Sequence, residues 1–213
     1  MPTIEQARTW YQEADPVHDF DHVLRVYRIA ERLATTEGAD LEIVHAAALL
    51  HDSRGSAPGG SGTERLEHHL TSAQFAGEVL KDEGWSEDRI QAVQHCIRAH
   101  RFRHNGEKPQ TLEAKVLFDA DKLDVLGAIG VARTIAYGAL DGNPPYTEPS
   151  EQFIQTGKAA PGEVYSSFHE YLFKLIKVKD LIFTDSGKKL AESRHAFLVQ
   201  FYEELQAECR GER

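Results

Sequence analysis

Apolar residues recur at helical spacing through almost the whole of this 213-residue chain, and that periodicity limits the fold more than any other feature. A helix with one buried face repeats its apolar positions every three or four residues, whereas a half-buried strand repeats them every second residue. No segment combines the shorter alternation with the β-branched residues typical of strands. The sequence therefore predicts an all-α fold, a helical bundle with a C-terminal helical extension.

Capping residues and helix breakers set the expected boundaries. Thr3 and Gln6 form a Thr-x-x-Gln capping box, and the first helix is expected to end before Asp15-Pro16. Two connections are expected, a loop at 53–63 with four glycines and a proline, and a longer one at 141–162. The other predicted helices are 21–37, one from the Asp40 cap to the His51-Asp52 pair, 64–83, one from the Ser86 cap to about 103, one from the Thr111 cap to about 140, 163–177, and 186–208 after a Thr184 or Asp185 cap.

The charge and composition narrow the classes of partner. A net charge of −10 argues against binding a nucleic acid polymer, which needs a broad basic face, but a small anionic substrate needs only a local positive cluster. No apolar run approaches the roughly 20 residues that cross a bilayer, and the N-terminus lacks the apolar core of a secretory signal. Cys96 and Cys209 are too few for a disulfide framework. We therefore expect a cytoplasmic protein.

Three polar side chains, those of His22, His51 and Asp121, fall on the apolar faces of predicted helices, where burial without a partner is costly. Taken singly, each inward histidine can be a hydrogen-bonded core residue, and the aspartate can be ion-paired. With Asp52 they supply two imidazoles and two carboxylates. This set suits a divalent metal, with Mn, Fe, Ni, Co, Mg and Zn as candidates, and leaves positions open for water or substrate.

Three motifs then occur in order along the chain. They are His-Asp-Phe-Asp-His-Val-Leu-Arg-Val at 18–26, Ala-Leu-Leu-His-Asp at 48–52, and Asp-Ala-Asp-Lys-Leu-Asp at 119–124. This order resembles the HD superfamily of metal-dependent phosphohydrolases, and the run at 122–133 is similar to one branch of small bacterial HD proteins. The resemblance implies that His22, His51, Asp52 and Asp121 hold the metal. It also implies one HD domain over 1–213, with a core at about 19–138 and the helices of 163–208 packed on it.

The residues after the His-Asp pair depart from the family pattern. Many HD proteins continue with an apolar residue, a glycine and then Lys, Arg or His, whereas this chain has Ser53-Arg54-Gly55. A glutamate that serves as acid or base in some HD nucleotidases is also absent a few residues beyond the pair. The residue that transfers the proton is therefore left open.

Further histidines are expected to widen the site. His69 and His100 fall on apolar helix faces and are predicted to face the same interior, whereas His68 and His95 fall on other faces. The resemblance implies three alternatives for His69 and His100. They contact phosphate and water, they hold a second metal with the first aspartate as a bridge, or they are structural.

Positive side chains near the motifs are candidates for binding substrate phosphate. In HD triphosphohydrolases a lysine directly after the last metal aspartate binds phosphate, which by resemblance points to Lys122. Arg25 lies one helical turn from His22, and the alternative for it is a surface salt bridge. Asp124, three residues after Asp121, is a candidate base. Further phosphate-binding candidates are Arg54, Arg101, Arg103 and Arg133.

The resemblance implies a metal-dependent phosphohydrolase whose metal polarises a phosphoryl oxygen and activates water. Lys122 and Arg25 would neutralise charge, and His69 or His100 would position water or protonate the leaving group. The implied partner is a small phosphorylated substrate, a nucleotide cleaved at a phosphoanhydride or phosphoester bond. Two alternatives remain, a di-iron HD-domain oxygenase and a non-catalytic metal- or nucleotide-binding module.

The last predicted helix has an apolar face that either packs on the core or forms a homodimer. This face consists of Leu190, Phe197, Leu198, Phe201 and Leu205.

Overall fold

The computed structural model describes residues 1–11, 20–54, 64–101 and 106–213, with the backbone alone at 64–67. Every regular element within these ranges is a helix, which confirms the all-α prediction. The helices are α1 Ile4–Arg8, α2 Phe20–Glu37, α3 Leu41–Leu50, α4 Glu64–Asp82, α5 Glu87–Ala99, α6 Leu112–Leu123, α7 Gly127–Leu140, α8 Glu151–Thr156, α9 Ser167–Phe173, a 3-10 helix Leu175–Leu181, and α10 Asp185–Cys209.

The chain divides into two compact units. The first contains Met1–Asp121 and Phe183–Gly187, and the second contains Lys122–Ile182 and Lys188–Arg213. The expectation of one domain over 1–213, with the C-terminal helices packed on the core, stays a prediction.

In the first unit α3 is the central helix, because its sequence is apolar on nearly every side. It packs against α2 and α5, and α4 packs along α5. Asp40 accepts hydrogen bonds from the backbone N–H groups of Glu42 and Ile43, so it caps α3 as the sequence predicts. Gly38 ends α2 with a φ of 80°, a left-handed conformation that glycine adopts without steric cost.

Helix α1 begins at the predicted capping box of Thr3 and Gln6. It packs its Ala7 in a small apolar cluster with Tyr11 and with Leu49 near the end of α3. The phenol of Tyr11 donates a 2.9 Å hydrogen bond to the carbonyl oxygen of Leu49. The N-terminal segment is therefore fixed to the end of α3 that leads into the His-Asp pair.

The helix predicted from Thr111 to about 140 is two helices, α6 and α7, so its predicted continuity is wrong. Thr111 does cap α6, accepting from the N–H of Ala114 at 3.2 Å. The chain turns between them, and Gly127 has a φ of 70°, which side chains rarely adopt. A Cβ on Gly127 would also lie 3.2 Å from the Arg194 side chain. Backbone geometry and close packing at Gly127 cause this break. Hydrophobic spacing does not predict either of them.

The segment 141–177 also differs from its prediction. Ser150 caps α8, a short helix inside the expected connection, by accepting from the N–H of Phe153. The helix predicted at 163–177 is instead α9 followed by the 3-10 helix. Residues 163–166 form no helix, and the carboxylate of Glu163 accepts hydrogen bonds from the N–H groups of Ser150 and Ala160. This carboxylate holds the loop between α8 and α9.

The second unit buries aromatic side chains between α9 and α10. Tyr171 and Tyr202 stack with ring centroids 4.3 Å apart. Leu198 and Tyr202 of α10 are fully buried, whereas Phe197 is 47% exposed. The predicted apolar face of this helix is therefore only partly right, and the homodimer stays a prediction. Over the described parts of the chain no single helix is long and apolar enough to cross a membrane, and the bent pair α6 and α7 passes that test by length and composition only.

Candidate metal centre

A cluster of histidine and aspartate side chains lies in the first unit. Helical periodicity brings them there, because the apolar stripe of each helix turns a neighbouring polar position inward. The cluster consists of His22 on α2, His51 and Asp52 at the end of α3, His68 on α4, His100 at the end of α5, and Asp121 on α6.

His22, His51 and Asp52 form a compact group of potential ligands whose donor atoms all lie within 4.8 Å of one another. Oδ2 of Asp52 is 3.6 Å from Nε2 of His51 and 3.9 Å from Nε2 of His22. Asp121 extends the group, with its Oδ1 3.5 Å from Nε2 of His22. Nitrogen and oxygen ligands that each lie about 2.0–2.2 Å from one ion are separated from each other by distances close to these separations of 3.5–3.9 Å. The group could therefore hold a divalent cation.

His51 presents an unprotonated ring nitrogen, Nε2, to this group. Its Nδ1 lies 2.8 Å from the carbonyl oxygen of Ala48, which can only accept, so Nδ1 carries the proton. Burial lowers the pKa of His51 to about 4, and the ring is neutral at neutral pH. Nε2 is buried and has no hydrogen-bond partner among the described residues. A cation would satisfy this lone pair, and an Nδ1–H bonded to a carbonyl is the usual support for a metal-binding histidine.

Asp52 keeps its charge although its side chain is only 19% exposed. Burial is the largest single influence and favours the neutral acid, but the imidazoles of His51, His100 and His68 together outweigh it. The pKa of Asp52 is therefore held well below its usual value. Its Oδ1 lies 3.1 Å from Nε2 of His68 and 3.4 Å from Nε2 of His100. These three residues form a second group of potential ligands that shares Asp52 with the first.

The structure places His68, and not His69, against Asp52. The apolar positions of α4 pointed to the face of His69, but His68 lies one helical turn before Ser72, which is fully buried. A serine at that position is typical of a polar surface, so hydrophobic spacing did not predict that this face points inward. His69 lies next to the cluster, where burial and the nearby His100 and His68 lower its pKa to about 4.

Side chains satisfy the last carbonyl groups of α3, which have no partner within the helix. His51 Nδ1 donates to Ala48, the phenol of Tyr11 donates to Leu49, and the hydroxyl of Ser53 donates to Leu50 at 2.9 Å. Ser53 is the first residue that departs from the family pattern. Its hydroxyl therefore has a structural role in ending the helix beside the His-Asp pair.

Arg54 is held against α4 through its backbone and its side chain. Its N–H donates to the hydroxyl oxygen of Ser72 at 3.1 Å, and its carbonyl accepts from that hydroxyl at 3.3 Å. The guanidinium carbon lies 3.5 Å from the ring centroid of Phe75. The Phe75 ring covers one face of the guanidinium. The role of Arg54 in binding phosphate stays a prediction. The rest of the glycine-rich loop, from residue 55, and Arg103 lie outside the described residues.

The motif at 119–124 contains carboxylates with different surroundings. Asp119 is fully buried and accepts from the N–H groups of Phe183 and Thr184 and from the hydroxyl of Thr184. Asp124, the predicted base, is also buried and accepts a 2.6 Å hydrogen bond from Arg133, a predicted phosphate ligand. The structure thus pairs these two candidates with each other.

The remaining candidates have different environments. Arg25 and Lys122 are partly buried, and their predicted roles in binding substrate stay predictions. His95 bonds to Glu107 at the surface, as expected for a histidine outside the site. Arg101 contacts His68, with its Nη1 2.8 Å from Nδ1 of the ring.

Comparison with known proteins agrees with these motifs. Residues 19–126 match the family model described as HD domain. The chain belongs to the HD-domain family. YpgQ of Bacillus subtilis (strain 168) is 33% identical over 218 aligned residues, which cover 99% of this chain and 96% of YpgQ.

Solved structures of similar proteins have the same fold. The crystal structure of Bacillus subtilis YpgQ in complex with ADP matches this HD-domain chain with a TM-score of 0.71 and 30% identity, and the match covers 97% of each chain. The crystal structure of an HD-superfamily hydrolase from Bacillus thuringiensis matches with a TM-score of 0.69 and 29% identity over 97% of this chain and 96% of that one.

Proposed function

We propose that this HD-domain protein is a metal-dependent phosphohydrolase that cleaves a phosphoanhydride or phosphoester bond of a nucleotide. The observation that supports it best is the group of His22, His51, Asp52 and Asp121, in which His51 presents a buried, bare nitrogen beside a charged carboxylate. A divalent cation held by this group supplies a Lewis acid that polarises a phosphoryl oxygen and lowers the pKa of water. Two imidazoles and two carboxylates leave room for such oxygens around the ion.

A nucleotide substrate is supported by the relative whose crystal structure is a complex with ADP. In this chain the groups that we assign to phosphate are Lys122 and Arg25, with Arg54 and Arg133 as further candidates. Their positive charge would neutralise negative charge that builds on the phosphoryl oxygens in the transition state.

The histidines beside Asp52 would act on water and on the leaving group. His100 donates from Nδ1 to the carbonyl of Ile97, and its Nε2 lies 3.4 Å from Oδ1 of Asp52, where we assign it to the attacking water. His69, with its pKa lowered to about 4, is neutral at neutral pH and can accept a proton from water. We assign Asp124 a supporting role as a base. Because it accepts a hydrogen bond from Arg133, it could act as a base only when that hydrogen bond is broken.

The test combines metal analysis with an assay of phosphate and pyrophosphate release from nucleoside mono-, di- and triphosphates. The wild-type protein should contain a divalent metal and hydrolyse at least one nucleotide, and chelation or Asp121→Ala should abolish turnover. The matched control is Asp82→Ala, which removes an exposed carboxylate at the end of α4 and should leave turnover unchanged. Hydrolysis that survives both chelation and Asp121→Ala would refute the proposed role of the metal.

The second group, of Asp52, His68 and His100, favours one alternative, a di-iron oxygenase that shares Asp52 between two irons. Elemental analysis and an oxygen electrode distinguish the two functions. Two irons per chain with oxygen consumption and no nucleotide hydrolysis would support the oxygenase. Nucleotide binding without turnover of any kind would instead indicate a non-catalytic binding module.

A further inference from the structure

The guanidinium of Arg54 lies flat on an aromatic ring close to the His-Asp pair. Its central carbon is 3.5 Å from the ring centroid of Phe75. An edge-on approach at this separation would bring a guanidinium nitrogen into collision with the ring, so the two planes face each other. The negative face of an aromatic ring attracts a cation in this position. The five N–H donors of arginine lie in the guanidinium plane, and stacking therefore leaves them directed sideways, away from the ring.

The surroundings fix both partners of this contact. The buried hydroxyl of Ser72 on α4 accepts from the N–H of Arg54 at 3.1 Å and donates to its carbonyl at 3.3 Å. Nη1 of Arg54 donates to the carbonyl of Ser53 at 3.2 Å. The Phe75 ring in turn packs edge-on against Trp10, with centroids 5.4 Å apart and an angle of 84° between the planes. The backbone and the side chain of Arg54 are thus held in place without a ligand.

The charge of Arg54 is not neutralised by any carboxylate among the side chains that the structure describes. The chain carries 34 acidic and 24 basic side chains, and other arginines of the first unit do have acidic partners. Arg89 bonds to Asp40, and Arg98 bonds to Glu107. Arg54 is instead exposed and held by an aromatic ring, so its donors and its positive charge are available to an anion. The planar donors of arginine match the oxygens of phosphate.

The spacing along α4 indicates which phosphate Arg54 can contact. His68 lies beside Asp52, with its Nε2 3.1 Å from Oδ1 of the carboxylate. Phe75 follows His68 by seven residues, which is two helical turns or about 10 Å. A phosphate with one oxygen on the metal does not extend that far.

We propose that Phe75 positions Arg54 to bind a second phosphate of the substrate, next to the one attached to the metal. The site then prefers nucleotides with two or more phosphates to monophosphates. Arg54 is a substrate-binding residue, and Phe75, which acts through it, is a positioning residue. This inference rests on the proposed function for the phosphorylated substrate.

Titration calorimetry of the zinc-loaded protein tests the proposal with two ligands that differ by one phosphate. They are AMP and the α,β-methylene analogue of ADP, which resists cleavage between its phosphates. Phe75→Leu should weaken binding of the ADP analogue about five-fold, the factor equivalent to about 1 kcal/mol for a cation–π contact. Arg54→Gln should weaken it by more than about 10-fold, as expected for a lost hydrogen bond between charged groups. Neither substitution should change the binding of AMP, and Phe75→Tyr, which keeps the aromatic face, should preserve the affinity for the ADP analogue.

A purely structural role for these residues would give a different result. It would weaken both ligands equally, and that outcome, or wild-type affinity for the ADP analogue in Arg54→Gln, would overturn the proposal. Equal affinity of the wild type for the two ligands would overturn it as well. The matched control is Gln74→Ala, at an exposed position next to Phe75 on α4, which should leave both affinities unchanged.

Two further readouts locate the effect. Zinc affinity should be unchanged in Phe75→Leu, because neither the ring nor the guanidinium is a metal ligand, and a loss of zinc would contradict the proposal. In turnover of a nucleoside diphosphate, Phe75→Leu should raise KM at unchanged kcat, because the contact is present before and during the reaction. A lower kcat at unchanged KM would instead place Arg54 on the reacting phosphate. The binding measurements need no turnover, so a failure to find hydrolysis is distinguishable from a failure of this proposal.

Discussion

Two aspartates of α6 that are two residues apart should respond in opposite ways to the same substitution. Asp119 is fully buried and accepts three hydrogen bonds, from the N–H of Phe183 at 2.8 Å and from the N–H and hydroxyl of Thr184 at 2.7 Å and 2.6 Å. Asp121 is 17% exposed and lies beside His22 in the metal group. We expect Asp119→Ala to destabilise the fold, and Asp121→Ala to remove metal binding while the fold persists.

The magnitude follows from the bonds that are lost. At about 1.5 kcal/mol for each hydrogen bond to a charged group, three bonds amount to roughly 4.5 kcal/mol, and coupling within one network reduces the expected loss to about 3 kcal/mol. In a chain of this size 1 kcal/mol moves the thermal midpoint by about 2–4 °C, so Asp119→Ala should lower it by about 6–12 °C. Asp121→Ala should change the free energy of unfolding by less than about 1 kcal/mol, because its carboxylate is partly solvated.

The assay is thermal unfolding of the metal-free proteins followed by titration calorimetry with Zn²⁺. Asp121→Ala should lower zinc affinity by more than about 100-fold, the upper figure for residues that only support a ligand. Folded Asp119→Ala should retain most of its affinity below its midpoint. Equal thermal midpoints for Asp119→Ala and the wild type, or wild-type zinc affinity in Asp121→Ala, would refute the division of roles.

Three further predictions concern the surroundings of the His-Asp pair. Tyr11→Phe removes the hydroxyl that donates to the carbonyl of Leu49. Because one buried hydrogen bond contributes roughly 1–1.5 kcal/mol, the thermal midpoint should fall by about 2–6 °C. The control is Thr9→Val, at an exposed site in the same segment. Ser72→Ala removes the hydrogen bonds between the Arg54 backbone and α4 and should weaken zinc binding by about 10-fold, the lower figure for supporting residues. An unchanged affinity would show that these hydrogen bonds do not position the His-Asp pair. The metal-free protein should lose stability as the pH falls from about 6.5 toward about 4, because the folded-state pKa of His51 is about 4 and the unfolded chain binds the proton first. His69 has the same lowered pKa, so His51→Gln should reduce the dependence in this window by about half, and an equally steep dependence in that variant would assign it to other groups.

Helical periodicity and capping predicted much of the first unit. The C-terminal end of α2 at Gly38 and the Asp40 cap of α3 agree with the prediction, because a glycine in the left-handed conformation and local hydrogen bonds fix them. The break before Gly127 was missed, because the steric requirement there comes from Arg194, which is distant in the sequence. A periodic apolar pattern does not report such contacts.

The site shows the same limit on sequence reasoning. The four residues predicted to bind the metal do lie together, since each is set by the face of its own helix. His68 was assigned to the wrong face because its neighbour along that face is a serine, and hydrophobic spacing cannot identify a buried hydroxyl. The partner of its Nδ1 is Arg101, thirty-three positions away, and only the folded chain brings them together.

The end of α3 has an electrostatic consequence for the choice of ion. The last carbonyl groups of a helix carry a partial negative charge of about half a unit, and here they point toward the His-Asp pair. Asp52 and Asp121 add two formal negative charges, so any divalent metal ion is favoured at this position. Discrimination among divalent ions would then follow the general order of their affinities for nitrogen and oxygen ligands. We expect the ion found in the cell to be the one whose free concentration is highest relative to that order, so that the metal supply of the cell decides which ion this HD-domain protein carries.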